Sequence, residues 1–523
     1  MNIRKIYVGL IVLLSMGLYY EWSSGGIISE QAAQLDLAKI ENAKPSVSDD
    51  GKYVYIENEL LKIKVAIQTG SIVESRLKKY GVENIEGSLG SRVFGSDDKT
   101  LFKYYLRSGF TGQKTVPSFV LSSFNNGYVL LEDKALGITK EISFLPQTYE
   151  ISIKDASVRG ELGKAYAALY RTQGRSLDLK TEFSKGGMMN QSSYEGVALS
   201  TDNDPYETTR LSGLDKPISL LSRSGWISFI EKYFFAALIG SEGFVYNYFA
   251  EPPESGVYRM GYKVEKSETE NFVYSHTHRV FIGPKIRKDL ALRADNLELA
   301  IDMGWFWFIS QPMVWILDKI NSFIGNWGLS IVLFTILLKI LLWPVTAKGF
   351  KSMAGMRKVA GPMKEIQERY KNDRQKLSQE MMALYKKEGA NPLGGCLPML
   401  AQVPFFIGFF FALREMVELR HASFGFWIGD LSVPDPLFVL PVAFGLIMVL
   451  TQRLNPAPPV QDPTQAQVMK YMPVMFSFMF VIFPAGLCLY SVVNSGVSLV
   501  QQKIIYKKYG AGGGGGDVSG AAG

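Results

Sequence analysis

Residues 327–345 read Trp327-Gly-Leu-Ser-Ile-Val-Leu-Phe-Thr335-Ile-Leu-Leu-Lys339-Ile-Leu-Leu-Trp343-Pro-Val345, an apolar run broken by a single charge. At about 1.5 Å per residue, a helix of this length reaches about 28 Å, close to the ~30 Å hydrocarbon core of a bilayer. Four further runs follow it: Leu393 to Leu413, Leu437 to Leu450, Met469 to Phe483, and Gly486 to Ile504. Two of these are short, and flanking residues extend each toward the ~20 residues that a crossing needs. The mean hydropathy of all 523 residues is near zero only because it averages this apolar half with a polar one.

Charges between the runs orient them. Thr346 to Asn391 holds 11 Lys and Arg against five acids, Arg453 and Lys470 flank a later connection, and Lys503, Lys507 and Lys508 follow the last run. Cytoplasmic loops carry such an excess of cations, so these sides, with Arg4 and Lys5, face the cytoplasm. Val417 to Asp435 and Phe483-Pro484-Ala485-Gly486 lack the excess and belong outside. Upstream, Trp305 to Phe323 mixes Trp305, Phe308, Ile309, Ile316 and Ile320 with Gln311, Asp318 and Lys319, which suits an amphipathic helix lying in the interface.

From Lys52 the period changes to two. Leu61, Ile63, Val65 and Ile67 alternate with Lys62, Lys64, Ala66 and Gln68, and Tyr149, Ile151 and Ile153 repeat the pattern, with Asn125-Asn126-Gly127 as a turn signal. An antiparallel β-sandwich is expected from Lys52 to about Pro284. At the start of the chain, Ile6 to Tyr20 is apolar and its exit has no A-x-A pattern, so an uncleaved anchor is the expectation and a signal peptide the alternative.

Composition excludes several classes. The net charge of +7 sits mostly beside apolar runs, where it serves orientation rather than nucleic-acid binding. Cys396 and Cys488 fall in different apolar runs near opposite membrane faces, and three histidines, His276, His278 and His421, offer little for zinc or His-based catalysis. No G-x-x-x-x-G-K-[ST] motif is present, and no cofactor is expected.

A cation in mid-run costs ~2.5 to 3.5 kcal/mol on insertion scales, so Lys339 needs a partner, water or a short path to the interface. Thr335, one turn earlier, shares its helix face. Gln402, Asn494, Ser495 and Ser498 are polar residues in other runs that could complete a groove. The plainer readings are that Lys339 snorkels to the headgroups and that the others bond between helices. In the cytoplasmic segment, Phe350, Met353, Met356, Ala360, Met363, Ile366 and Tyr370 recur at helical spacing. Past a turn at Lys371-Asn372-Asp373, Leu377, Met381 and Leu384 return, making a helical hairpin that Pro362 interrupts. Its Met353, Met356, Met363 and Met381 either greet apolar substrate segments or only hold the hairpin together.

The stretch Asn391-Pro-Leu-Gly-Gly-Cys396-Leu-Pro-Met-Leu-Ala-Gln402-Val-Pro404-Phe405-Phe406 resembles the signature of the YidC/Oxa family of membrane protein insertases. Gly304-Trp-Phe-Trp-Phe-Ile-Ser-Gln311-Pro312, Gly325-Asn326-Trp327-Gly328 and Phe483-Pro484-Ala485-Gly486-Leu487 are similar in the same order, so the resemblance covers about Gly304 to Tyr506. The large outer domain is similar to that of the Gram-negative form, which implies a β-supersandwich like that of sugar mutarotases. The resemblance further implies a hydrated groove with a cation, usually arginine, at the position of Lys339. Thr335, Gln402, Tyr490, Ser491, Asn494 and Ser495 then become candidate substrate contacts. Lysine keeps the charge and loses the bidentate fork, while Ser491 stands where relatives often have an aromatic and Asn494-Ser495 reverses the familiar order.

The expectation is therefore a multi-domain membrane protein, not an enzyme, with an α-helical core of five spans plus an N-terminal span and a large periplasmic β-domain. Its segments are an anchor at 1–22, a flexible tether at 23–51, a β-sandwich at 52–285, a helical connector at 286–304 and an interfacial helix at 305–325. The core at 326–506 includes the hairpin 346–391, and a flexible tail at 507–523 follows. It would lie in a bacterial inner membrane with both termini cytoplasmic. Its partners would be nascent membrane proteins, the Sec translocon, lipid, and ribosome or signal recognition components at the cytoplasmic face. Two other classes fit less well. A secondary transporter would want internal repeats, which are not found, and a carbohydrate enzyme would want a His and carboxylate constellation in the β-domain.

Overall fold

The computed structural model describes residues 46–81, 90–97, 102–113, 115–158, 162–173, 195–267, 275–301, 303–304, 306–370, 373–388, 397–425, 427–454 and 463–510. The expected anchor at 1–22, most of the tether, Trp305, the turn residues Lys371 and Asn372, the motif residues Asn391 to Cys396, and residues 511–523 of the tail lie outside them.

Alternating sequence becomes antiparallel sheet. In Leu61–Ala66 the buried Leu61, Ile63 and Val65 alternate with Lys62, Lys64 and Ala66, because successive side chains point to opposite faces. Two sheets result. One has 11 strands and runs from Ser46–Val47 through Ser71–Gly81, Phe102–Phe110, Ala165–Thr172 and Val257–Ser267 to Ile218–Ser222. The other has nine, from Glu207–Arg210 through Ser275–Pro284, Glu150–Ser157 and Ile138–Phe144 to Val120–Asn125. The Asn-Gly turn joins two of them as a hairpin, with Asn125 opposite Tyr128 and the Gly127 amide donating to Asn125 Oδ1 at 3.1 Å.

Between the sheets lies a core of Val, Ile, Leu and aromatic side chains that also encloses charge. Lys140 Nζ meets Asp155 Oδ1 at 2.5 Å and donates to Ser108 Oγ at 2.6 Å, with both members of the ion pair fully buried. Ser108 Oγ donates to Asp155 Oδ2 at 2.5 Å, and His278, bonded to Tyr262, approaches the same carboxylate. A turn at Gly70 presses on the Lys140 stem. Its φ is +63°, and a Cβ there would stand 2.7 Å from Lys140 Cδ, so only glycine suits it.

Among the described residues, a short helix at Arg287–Ala291 follows the sheets, and nine longer helices come after it. These are α1 (Trp307–Ile324), α2 (Trp327–Leu341), α3 (Trp343–Lys358), α4 (Ala360–Arg369), α5 (Arg374–Lys387), α6 (Leu397–Glu415), α7 (Val439–Leu454), α8 (Pro463–Met479) and α9 (Ala485–Gly510). Gly325, at φ +70°, ends α1, and the Asn326 side chain caps α2 by accepting from the Leu329 amide. The sequence suggested one unbroken helix over 327–345, and the structure instead breaks it at Leu342. The two pieces are bent by 67°. Pro344 is the cause: it has no N–H for the Ile340 carbonyl and disfavours helical backbone at Trp343. Among the described residues no single helix is long and apolar enough to cross a membrane, whereas Trp327–Leu341 and Trp343–Gly355 together are.

The β-domain and the helices meet at the loop before α7. Arg420 Nη2 donates to the Gly81 carbonyl at 2.6 Å and its guanidinium lies over the Phe234 ring, while Val417 joins the sandwich core. Lys288 pairs with Asp318 of α1 at 2.5 Å.

His276 sits in this sandwich among Phe244, Tyr246 and Tyr262, and neither ring nitrogen has a hydrogen-bond partner. Burial, aided by repulsion from His278, pushes its imidazole down to about 3. The unfolded chain, with histidines near 6.5, therefore binds more protons in acid, and stability present above pH 6.5 is lost as pH falls toward 3. Urea unfolding followed by tryptophan fluorescence should show a loss of about 2 kcal/mol from this histidine between pH 7 and 5. His276→Phe should flatten that slope by roughly one proton, and an unchanged slope would show that His276 is not the group responsible.

Candidate functional site

The helical bundle is centred on stacked aromatics. Phe334 of α2 lies parallel to Phe409 of α6 at 5.1 Å, and Phe409 meets Tyr490 of α9 at 4.6 Å. Interhelical approach is close where side chains are small. Ser310 of α1 donates to the Gly408 carbonyl of α6 at 2.8 Å, and Ser477 of α8 donates to the Pro441 carbonyl of α7 at 2.8 Å. These contacts hold α2, α6 and α9 around one polar seam.

Lys339 is 3% exposed and its ammonium turns across the bundle. It donates to Gln402 Oε1 of α6 at 3.0 Å and to Ser498 Oγ of α9 at 2.7 Å. That direction differs from snorkelling, which would carry the ammonium along its own helix toward the headgroups. Both acceptors are neutral, and among the described residues no carboxylate pairs with the cation. Three helices thus supply one charge and two oxygens.

The other residues singled out in the sequence take varied places. Thr335 is fully buried one turn from Lys339, and its hydroxyl donates back to the Ile331 carbonyl at 2.6 Å. Ser491 does likewise to Leu487 at 2.8 Å. Asn494 is buried and offers its carbonyl to Ser498 at 2.8 Å, while Ser495, the next residue, is half-buried. Tyr490 is buried among Phe406 and Phe409, and its hydroxyl has no hydrogen-bond partner. Gln501 and Gln502 are also buried, continuing the stripe of Ser491, Asn494 and Ser498 at three- and four-residue steps. They went unnoticed in the sequence although the spacing was there to be read.

The two ends of the seam differ. On the side of the β-domain, the Ala485 amide bonds the Val433 carbonyl at 2.7 Å and the Gly486 amide bonds Leu431 at 2.9 Å, so a loop lies across the start of α9. Asp435 secures that loop by accepting from Trp427 Nε1 at 2.9 Å and the Leu440 amide at 2.7 Å. Gly328 permits the closure, since a Cβ there would fall 2.2 Å from Phe424. Toward the opposite end, α3 to α5 form the charged hairpin. The break between α3 and α4 falls at Val359, because Pro362 has no N–H for the Lys358 carbonyl. Met363 and Met381 are buried with Leu377 and Tyr385 in the hairpin's own small core, Met353 is half-buried, and Met382 is exposed. The side chain of Met356 lies outside the described residues.

The chain is also similar to known proteins. Residues 319–511 match the family described as 60Kd inner membrane protein, and residues 53–316 match the YidC periplasmic domain. Membrane protein insertase YidC of Hahella chejuensis is 34% identical over 94% of this chain and 90% of its own length. That of a Marinomonas species is 35% identical over 88% and 85%. A crystal structure of an active YidC insertase with its first transmembrane domain resolved is 17% identical, covers 88% of this chain and 94% of its own, and has a TM-score of 0.39.

The seam around Lys339 makes a stability prediction of its own. Gln402→Leu together with Ser498→Ala strips the ammonium of both oxygens and should cost about 3 to 6 kcal/mol, at 1.5 to 3 for each bond to a charged group. Adding Lys339→Met should recover most of that loss. Thermal unfolding in detergent reads both, and a double variant as stable as the parent would mean that water replaces the two side chains.

Proposed function

The chain belongs to the YidC family of membrane protein insertases, and from that premise we propose that it inserts and helps fold integral inner-membrane proteins through a hydrated groove built on Lys339. The observation that carries this reading is the ammonium held by Gln402 and Ser498 inside a bundle whose core is mainly apolar. A lone cation solvated by neutral oxygens is free to attract acidic residues of an arriving chain.

An apolar segment gains roughly 0.3 to 0.6 kcal/mol per Leu or Ile on reaching the bilayer centre, while its polar tail resists crossing. Water around the Lys339 seam shortens the dry path for that tail. Its acidic residues pause at the cation and are released outward as the apolar segment slides into lipid along α2 and α9. Thr335, Tyr490, Ser491, Asn494 and Ser495 shape the wall it passes. The loop over α9 keeps the groove closed toward the periplasm. Hydrophobic transfer and the membrane potential drive the process.

In this arrangement the bent pair of α2 and α3 forms the first core span, α6 to α9 complete five, and the N-terminal run adds a sixth. The helix at 305–325 lies in the interface, the termini and the hairpin 346–391 face the cytoplasm, and the β-domain stands in the periplasm. The hairpin offers Met353 and the exposed Met382 to substrate, while Met363 and Met381 hold its two arms together. Its excess of cations suits ribosome or signal recognition components, and the protein works alone or with the Sec translocon.

Insertion of a small single-spanning protein into liposomes, scored by protease protection, tests the role of the cation. The parent and Lys339→Arg should insert, and Lys339→Ala should fall by about tenfold or more, equivalent to 1.4 kcal/mol of lost stabilisation. Equal insertion by parent and Lys339→Ala would remove the cation from the mechanism.

A further inference from the structure

The β-domain contains a cavity of about 420 Å³ beside the end of the strand Phe102–Phe110. Arg107, Arg259 and Lys263 line it against one carboxylate, Asp155. That carboxylate is already engaged by Lys140 and Ser108, so it neutralises none of the three. Arg107 bonds the neutral Ser71 hydroxyl at 3.4 Å, Lys263 lies over the Phe249 ring at 5.1 Å, and Arg259 shares Glu251 at 3.5 Å. Two buried polar atoms at this site have no hydrogen-bond partner, Arg259 Nε and Gln113 Nε2. Both are donors. Tyr166 adds a third, since burial pushes its phenol up to about 12 and keeps it protonated at neutral pH.

Unfilled donors and three cations that meet a single carboxylate of the lining, one already engaged, in a cavity of this size call for a small ligand rich in acceptor oxygens. We propose that this cavity binds a small soluble polyol bearing an anionic group, of the sugar-phosphate class. Its phosphate would sit among Arg107, Arg259 and Lys263, and its hydroxyls would face Gln113 and Tyr166. A lipid headgroup carries similar chemistry, and the fold places it poorly. Arg107 contacts Ser71 at one end of the strand Ser71–Gly81, whereas Gly81 at the other end takes Arg420 from beside the helices. At about 3.3 Å per residue the cavity stands about 30 Å from that contact.

Isothermal titration of the full-length protein in detergent, with glucose 6-phosphate, glucose and inorganic phosphate as probes, tests this. Saturable binding of glucose 6-phosphate is expected, at least about tenfold tighter than glucose or inorganic phosphate. Lys263→Gln, at a half-exposed position where folding is spared, should weaken it by about tenfold, and Gln113→Ala should weaken it less. Equal binding of inorganic phosphate would overturn the polyol part. Absence of saturable binding at millimolar probe, or binding only to vesicles of phosphatidylglycerol, would overturn the proposal.

Discussion

An ammonium enclosed by apolar helices has to find oxygen, and the bundle is arranged so that it does. Lys339 reaches Gln402 and Ser498 on two other helices, so the charge constrains the relative placement of α2, α6 and α9. Phe334 stacked on Phe409, with Tyr490 tilted against Phe409, supplies the packing on which those polar contacts rest. Both acceptors are neutral. A buried ion pair satisfies itself, whereas amide and hydroxyl oxygens leave the cation's charge uncancelled.

The two ends of the seam are built from different chemistry. The closed end is made of backbone hydrogen bonds between the Leu431–Val433 stretch and the start of α9, with Asp435 holding the loop and Gly328 leaving room for Phe424. The opposite end leads to the basic hairpin, whose core is small and whose break at Val359 separates it from the bent α2 and α3 pair. Such a segment, with few buried apolar contacts, belongs to the low-stability end of a structure.

The β-domain is joined to this machinery by few contacts of high quality. Arg420 ties the loop before α7 to the end of a sheet strand, and Lys288 ties the connector to α1. The sandwich also buries the Lys140, Asp155 and Ser108 network, a costly arrangement unless every member is satisfied, and here each finds a partner at 2.5 to 3.1 Å.

The amino-acid sequence alone determined what local periodicity and charge can express. Leu61, Ile63 and Val65 declared a half-buried strand, the Asn-Gly pair declared a hairpin, and Lys339 stood out because no neighbour in its run could balance it. Its motifs also placed the chain in the right family before any fold was visible. Tertiary structure decided the rest. The partners of Lys339 lie 63 and 159 residues away, the burial of Met363 and Met381 depends on which arm faces which, and the cavity is assembled from strands distant in the chain. Periodicity reports which face of an element is buried, but not against what, because contacts between elements are settled by packing of the whole chain rather than by the spacing within one segment.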